Sequence, residues 1–212
     1  MKTQIRIAAL ALLAVVCLML AVVPAMAGTL YDNGPYDGNN NAWGINFGHV
    51  VTNSNNLNSS RSNVYGVDIV YWDASESDLL TTVDMSFGST PFGTDIFSGT
   101  LTGANNTFLG TNQYGYALEE AELTFPVPIG TPASSYLTLG NACTTSGCDT
   151  NPISWDENSG PSTAYDNTVG SIPSESFTLI GTSDSTPEPS SLMLFGSGML
   201  GLAGVLRRRL MG

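Results

Sequence analysis

The chain has 212 residues, of which 42% are hydrophobic and only 11% charged, with a formal net charge of −12. That much apolar side chain with so little charge excludes a disordered acidic polymer. Of the 18 Asp and Glu residues only Glu188 lies outside residues 28–186, and of the six Lys and Arg only Arg61 lies inside. A body so poor in cations cannot neutralise a phosphate backbone, which excludes nucleic acid as a partner.

Lys2 and Arg6 precede an almost unbroken apolar run from Ile7 to Val23, and Pro24 is followed by Ala25-Met26-Ala27. A positive start, an apolar helical core and small residues at Ala25 and Ala27 predict a signal peptide over 1–27, cut by signal peptidase after Ala27. Cys17 lies in mid-core without a lipobox before it, which argues against a lipoprotein. The mature chain then contains no lysine.

Residues 28–182 show no helical period and no internal repeat; alternation recurs instead. Trp43, Ile45, Phe47 and Val51 form one alternating set, with His49 on the same face. Val67, Ile69 and Tyr71 follow, then Val83, Met85 and Phe87. Tyr114, Tyr116 and Leu118, then Leu123 and Phe125, continue the pattern, and Tyr136–Leu139, Ile153–Trp155 and Phe177–Ile180 complete it. Turn formers punctuate the series, among them Asp37-Gly38-Asn39-Asn40, Ser89-Thr90-Pro91 and Pro126-Val127-Pro128. Roughly seven to nine short strands are expected. They predict an all-β body, a single antiparallel β-sandwich of jelly-roll-like form over 28–182.

Cys143 and Cys148 flank Thr144-Thr145-Ser146-Gly147, a spacing that closes a small disulfide loop in an oxidising compartment. Two thiolates and one distant histidine cannot make a closed zinc site. His49 is the only histidine, and neither G-x-S-x-G nor H-E-x-x-H occurs. No catalytic residue is assigned, and the body is expected not to be an enzyme. Carboxylate pairs for glycoside hydrolysis, such as Asp73 with Glu157, can be drawn from any acidic body, and the separation that decides the chemistry is not a sequence property.

Two binding motifs compete with plain structural readings. Asp32, Asn33, Asp37, Asn39 and Asn41 offer the oxygen ligands that calcium prefers, without the EF-hand spacing. An Asn/Asp/Gly turn explains the same letters, and no other cofactor is expected. Trp155-Asp156-Glu157-Asn158 resembles an aromatic-plus-acid sugar site with Trp155 as the stacking platform. A buried sandwich tryptophan followed by a polar turn explains the same letters and is the reading ahead.

The polar spacer and Pro-Glu-Pro segment occupy 183–191, with Pro187, Glu188 and Pro189 as the motif. Two prolines in three residues keep such a segment extended. The 15 residues Leu192–Leu206 follow, and as a transmembrane helix they span about 22 Å. That is short for a hydrocarbon core of about 30 Å. Arg207, Arg208 and Arg209 then open a basic end over 207–212, which the positive-inside bias holds in the cytoplasm.

Thr186-Pro187-Glu188-Pro189-Ser190-Ser191-Leu192, glycines at 196, 198, 201 and 204, and the arginine cluster together resemble the PEP-CTERM sorting signal. The resemblance implies a Gram-negative envelope and processing by an exosortase, a membrane protease. Leu30-Tyr31-Asp32-Asn33-Gly34-Pro35, Asn112–Tyr116, Trp155–Gly160 and Ile172–Phe177 are similar to a recurring ectodomain type among such proteins, which transfers no catalytic residue. The expected protein is a single-pass inner-membrane precursor, later released to the cell surface or extracellular matrix. Its expected role is structural or adhesive. A carbohydrate-binding module for exopolysaccharide is the alternative, and a glycoside hydrolase ranks third.

Overall fold

The computed structural model describes residues 27–183 and residue 198. The signal peptide apart from Ala27, the Pro-Glu-Pro motif, the apolar segment apart from Gly198 and the arginine end lie outside the described residues. Twelve strands fill the body in chain order: β1 (Gly28–Asp32), β2 (Ala42–Gly44), β3 (Val50–Asp73), β4 (Leu80–Gly88), β5 (Phe97–Thr111) and β6 (Ala117–Thr144), then β7 (Gly147–Cys148), β8 (Ser154–Asn158), β9 (Ala164–Asp166), β10 (Gly170–Ile172), β11 (Ser174–Glu175) and β12 (Phe177–Ser183). Among the described residues the strand pairings are antiparallel. No helix lies within 27–183, and none among the described residues is long and apolar enough to cross a membrane.

The backbone of the fold is one long ribbon of β3 against β6, pairing Val50 with Gly140 at one end and Asp73 with Ala117 at the other. On its far side β6 takes β4 along its second half and β5 along its first. Because β5 also pairs β4 through Phe97–Thr102, the sheet curls back on itself. The other edge of β3 carries β9, β12 and β8 on successive stretches, and β1 closes the edge on β12.

The expectation of short strands fails at this ribbon, which runs through two stretches rich in turn formers. In β3, Thr52, Asn53 and Asn55 are buried yet bonded across the sheet. Thr52 Oγ1 donates to Leu137 O, Asn53 Nδ2 to Ser162 Oγ, and Ser135 Oγ to Asn55 Oδ1. Cross-strand partners thus supply what low strand propensity lacks. In β6, Phe125 to Pro128 have no ladder partner, since the pairing steps from Ile129–Val64 to Thr124–Gly66. Prolines 126 and 128 sit in that exposed bulge, where a missing amide costs no ladder bond.

That register shift also preserves the core. Val64 and Val67 differ in parity, yet both are fully buried, because the bulge resets which face points inward. Val83, Met85, Phe87, Leu123, Leu137, Leu139, Trp155, Phe177 and Leu179 meet them in one apolar cluster. Phe97 and Phe125 meet edge-on at 5.1 Å, as do Trp155 and Phe177 at 5.7 Å. Each large side chain so buried contributes about 1.5–3 kcal/mol. Two expected alternations break at turns. Phe47 (φ 53°) and Gly48 (φ 81°) end the Trp43–Val51 set after Gly44, and Gly115 (φ 89°) turns the chain between Tyr114 and Tyr116, so β6 begins only at Ala117.

Candidate functional site

The surface feature with the chemistry of a binding site is aromatic, and it lies at the end of β3. Trp72 is 7% exposed, and its indole Nε1 donates to Asp156 Oδ1 at 2.6 Å. Tyr114 and Tyr116, 58% and 38% exposed, lie with ring centroids 6.0 and 6.1 Å from Trp72, tilted by 30° and 32°. The turn that carries both tyrosines is fixed by Asn112, whose Oδ1 accepts from the amides of Tyr114 and Tyr116. Its backbone N–H donates to Tyr116 O and its carbonyl accepts from Gly115 N, so the loop is set before any ligand arrives. Asn112 Nδ2 is buried without a partner.

Beside these rings a cleft of about 200 Å³ is lined by Asn41, Ala42, Trp72, Tyr116, Pro152 and Ser154. None of these side chains is a carboxylate, amine or imidazole. Gln113 Nε2 donates to Asn39 O at 2.8 Å and ties the tyrosine turn to the loop before β2. The aromatic rings therefore come from two separate places in the chain, the end of β3 and the Asn112–Tyr116 turn, and are held by polar groups behind them.

The motif Trp155–Asn158 supports this arrangement from behind. Trp155 is fully buried, with Nε1 donating to Ser176 O, so its ring has no free face and cannot be the sugar platform. Asp156 is also fully buried; beyond Trp72 it accepts from Gly38 N and Asp37 N. Burial raises its pKa to about 6, against the pull of those hydrogen bonds. Glu157 accepts the Trp43 indole N–H at 2.9 Å, and Asn158 Nδ2 donates to the carbonyls of Asn33, Gly34 and Pro35.

Of the calcium candidates, Asp32 and Asp37 accept hydrogen bonds within their own loop. Asp32 Oδ1 accepts from Gly34 N. Asp37 accepts from Asn39 N, Asn40 N and the Asn40 amide, an Asx-type turn. The buried Asn33 amide donates to Ser174 Oγ and Glu175 O. Among the described residues no group of three or more His, Cys, Asp or Glu could hold a metal ion. Asn41 instead lines the aromatic cleft.

His49 sits after the Asn46–Gly48 turn and not within a strand, with Nδ1 3.6 Å from Asp166 Oδ2. Burial raises the Asp166 pKa, but hydrogen bonds from Thr168 and Val169 and the His49 charge outweigh it and leave it lowered. Asp73 and Glu157 have separate partners: Asp73 accepts from Ser75 N, and its second oxygen is buried without a partner. Burial and the nearby Glu119 and Asp78 raise Asp73 to about 7. Glu119 is itself raised by burial, although Tyr71 donates to it at 2.9 Å. Glu175 is fully buried with both oxygens unpartnered, and burial beside Glu157, Asp156 and Asp166 raises its pKa well above the ordinary range. A disulfide joins Cys143 and Cys148, which face each other across the β6–β7 turn.

Sequence reading missed the aromatic site because Trp72 was not singled out and both tyrosines were assigned to a strand. The available signal was Asn112-Gln113-Tyr114-Gly115-Tyr116, two aromatics around a glycine in a polar stretch.

An acidic, disulfide-bonded β domain with a proline-flanked, apolar and then basic tail has the layout of a sorted envelope protein. More narrowly, residues 185–209 match the family model of the PEP-CTERM protein-sorting motif, so the chain carries that sorting signal in its tail. The motif implies an exported, membrane-anchored precursor, processed by an exosortase and delivered to the surface. The match covers the tail and not the body, and no curated protein matches the chain.

Proposed function

We propose that this is a non-enzymatic surface protein, whose body serves adhesion or structure in the envelope or extracellular matrix. The observation that carries the reading is the aromatic cleft: it has groups that bind, and its lining holds no carboxylate, amine, thiol or imidazole. The raised carboxyls support it, since Asp73, Glu119, Asp156 and Glu175 are each fully buried, away from any substrate. Asp68 is the raised carboxyl that reaches the surface; burial beside Glu120 and Glu122 brings it to about 6. In this reading signal peptidase cuts after Ala27, and Leu192–Leu206 holds a single-pass precursor until the exosortase acts at the Pro-Glu-Pro segment. The curled sheet is then a jelly-roll-like sandwich held outside the membrane.

Mass spectrometry of the mature protein from its native host tests sorting, and a broad hydrolase panel tests the absence of catalysis. The reading expects a C-terminus near Pro189, lost when Glu188 or the prolines are replaced, and no turnover of any substrate. Recovery of intact Arg207–Gly212 in the surface protein would overturn the sorting step. Turnover of a glycoside would overturn the rest.

A further inference from the structure

We propose that Trp72, Tyr114 and Tyr116 form a stacking platform for a neutral pyranose glycan, with the adjoining cleft seating one sugar ring. The proposal deepens the adhesive reading and rests on it. A pyranose presents an apolar face of C–H groups and a rim of hydroxyls. Its recognition needs flat, partly exposed rings beside uncharged donors and acceptors.

The protein supplies both parts. Tyr114 and Tyr116 turn exposed ring surface outward while Trp72 backs them from below. Asn41 and Ser154 line the cleft, an amide and a hydroxyl suited to the rim of a sugar. No hydrogen bond to either side chain occurs among the described residues, so both are free for a ligand. Asn112 holds the tyrosine turn through four hydrogen bonds. Asp156 fixes the Trp72 ring from behind, so little order has to be created on binding.

Charge narrows the ligand. With Arg61 the sole cation among residues 28–186, against 17 carboxylates, the body repels acidic polysaccharides and phosphorylated polymers alike. A proline-rich peptide also docks on aromatic grooves, but it needs an elongated track for successive residues. The cleft here is compact and has polar groups at its edge.

The test is isothermal titration of the complete chain, held in a detergent without a sugar headgroup. The probes are cellohexaose, mannohexaose, maltohexaose, a galacturonate hexamer and a proline-rich decapeptide. At least one neutral hexaose is expected to bind, with a change in tryptophan fluorescence. Tyr114→Ala and Tyr116→Ala should each weaken it by about tenfold or more, and Tyr116→Phe by less than about threefold. Both tyrosines are exposed on a turn, so melting temperatures should stay unchanged and separate lost stacking from lost fold. Three outcomes overturn the proposal: no neutral hexaose binds, binding persists in both alanine variants, or the uronate or peptide binds instead. None of them moves the mature C-terminus, so a failure here leaves the sorting result standing.

Discussion

Asp73→Asn should make the protein more stable at pH 8 and leave it nearly unchanged at pH 4. Asp73 is fully buried, accepts one hydrogen bond from Ser75 N and has its other oxygen unpartnered. Its pKa is raised to about 7 by burial and by Glu119 and Asp78, against about 4 in the unfolded chain. Below pH 4 the group is protonated in both states and costs nothing. Between pH 4 and 7 the unfolded chain releases the proton while the folded chain keeps it, so stability falls as pH rises; above 7 the loss is complete. At 1.36 kcal/mol per pH unit the ceiling is about 4 kcal/mol. Relaxation around the carboxylate reduces it to about 2 kcal/mol. Asparagine keeps the acceptor for Ser75 and removes the charge. A gain of about 2 kcal/mol corresponds to roughly 4–8 °C in melting temperature for a domain of this size. The assay is thermal unfolding of variant and wild type from pH 4 to 8, read as their difference, which cancels the other raised carboxyls. A difference independent of pH, or one that shrinks as pH rises, refutes the buried-acid reasoning.

Trp72→Phe removes the indole donor from buried Asp156, so it should cost about 1–3 kcal/mol at pH 8 and less at pH 4.5, checked by the same melts. Gly38→Ala should destabilise by about 1–3 kcal/mol in urea unfolding, since φ is +66° and the new Cβ would sit 2.6 Å from Leu118 Cδ1. Replacing Cys143 and Cys148 together by serine should cost about 2 kcal/mol, the loop-entropy value for so short a loop, measured by denaturant midpoint. Calcium should shift the melting temperature no more than magnesium does at equal concentration, because the carboxylates of Asp32 and Asp37 already accept from their own turns. A shift specific to calcium would mean that the loop rearranges to bind it.

The sequence alone determined the destination of this protein and the class of its fold. The tail signal is a linear order of proline, apolar and basic segments, so it needs no partner from elsewhere in the chain to be legible. Alternation at Val67–Tyr71, Val83–Phe87 and Phe177–Ile180 marked core strands, because a strand with one buried face carries its own period. Only the tertiary structure decided that the Asn- and Ser-rich stretch after Val51 continues as strand. Thr52, Asn53 and Asn55 there are bonded to Leu137, Ser162 and Ser135, partners distant in the sequence. It also decided between the two tryptophans. Trp155 on β8 pairs with Tyr71 and Trp72 on β3 pairs with Ser154, adjacent rungs of one ladder, yet Trp155 is sealed in the core and Trp72 backs an exposed tyrosine shelf. Which face of a strand meets solvent depends on what the curled sheet brings against it, and that is a property of the packed chain.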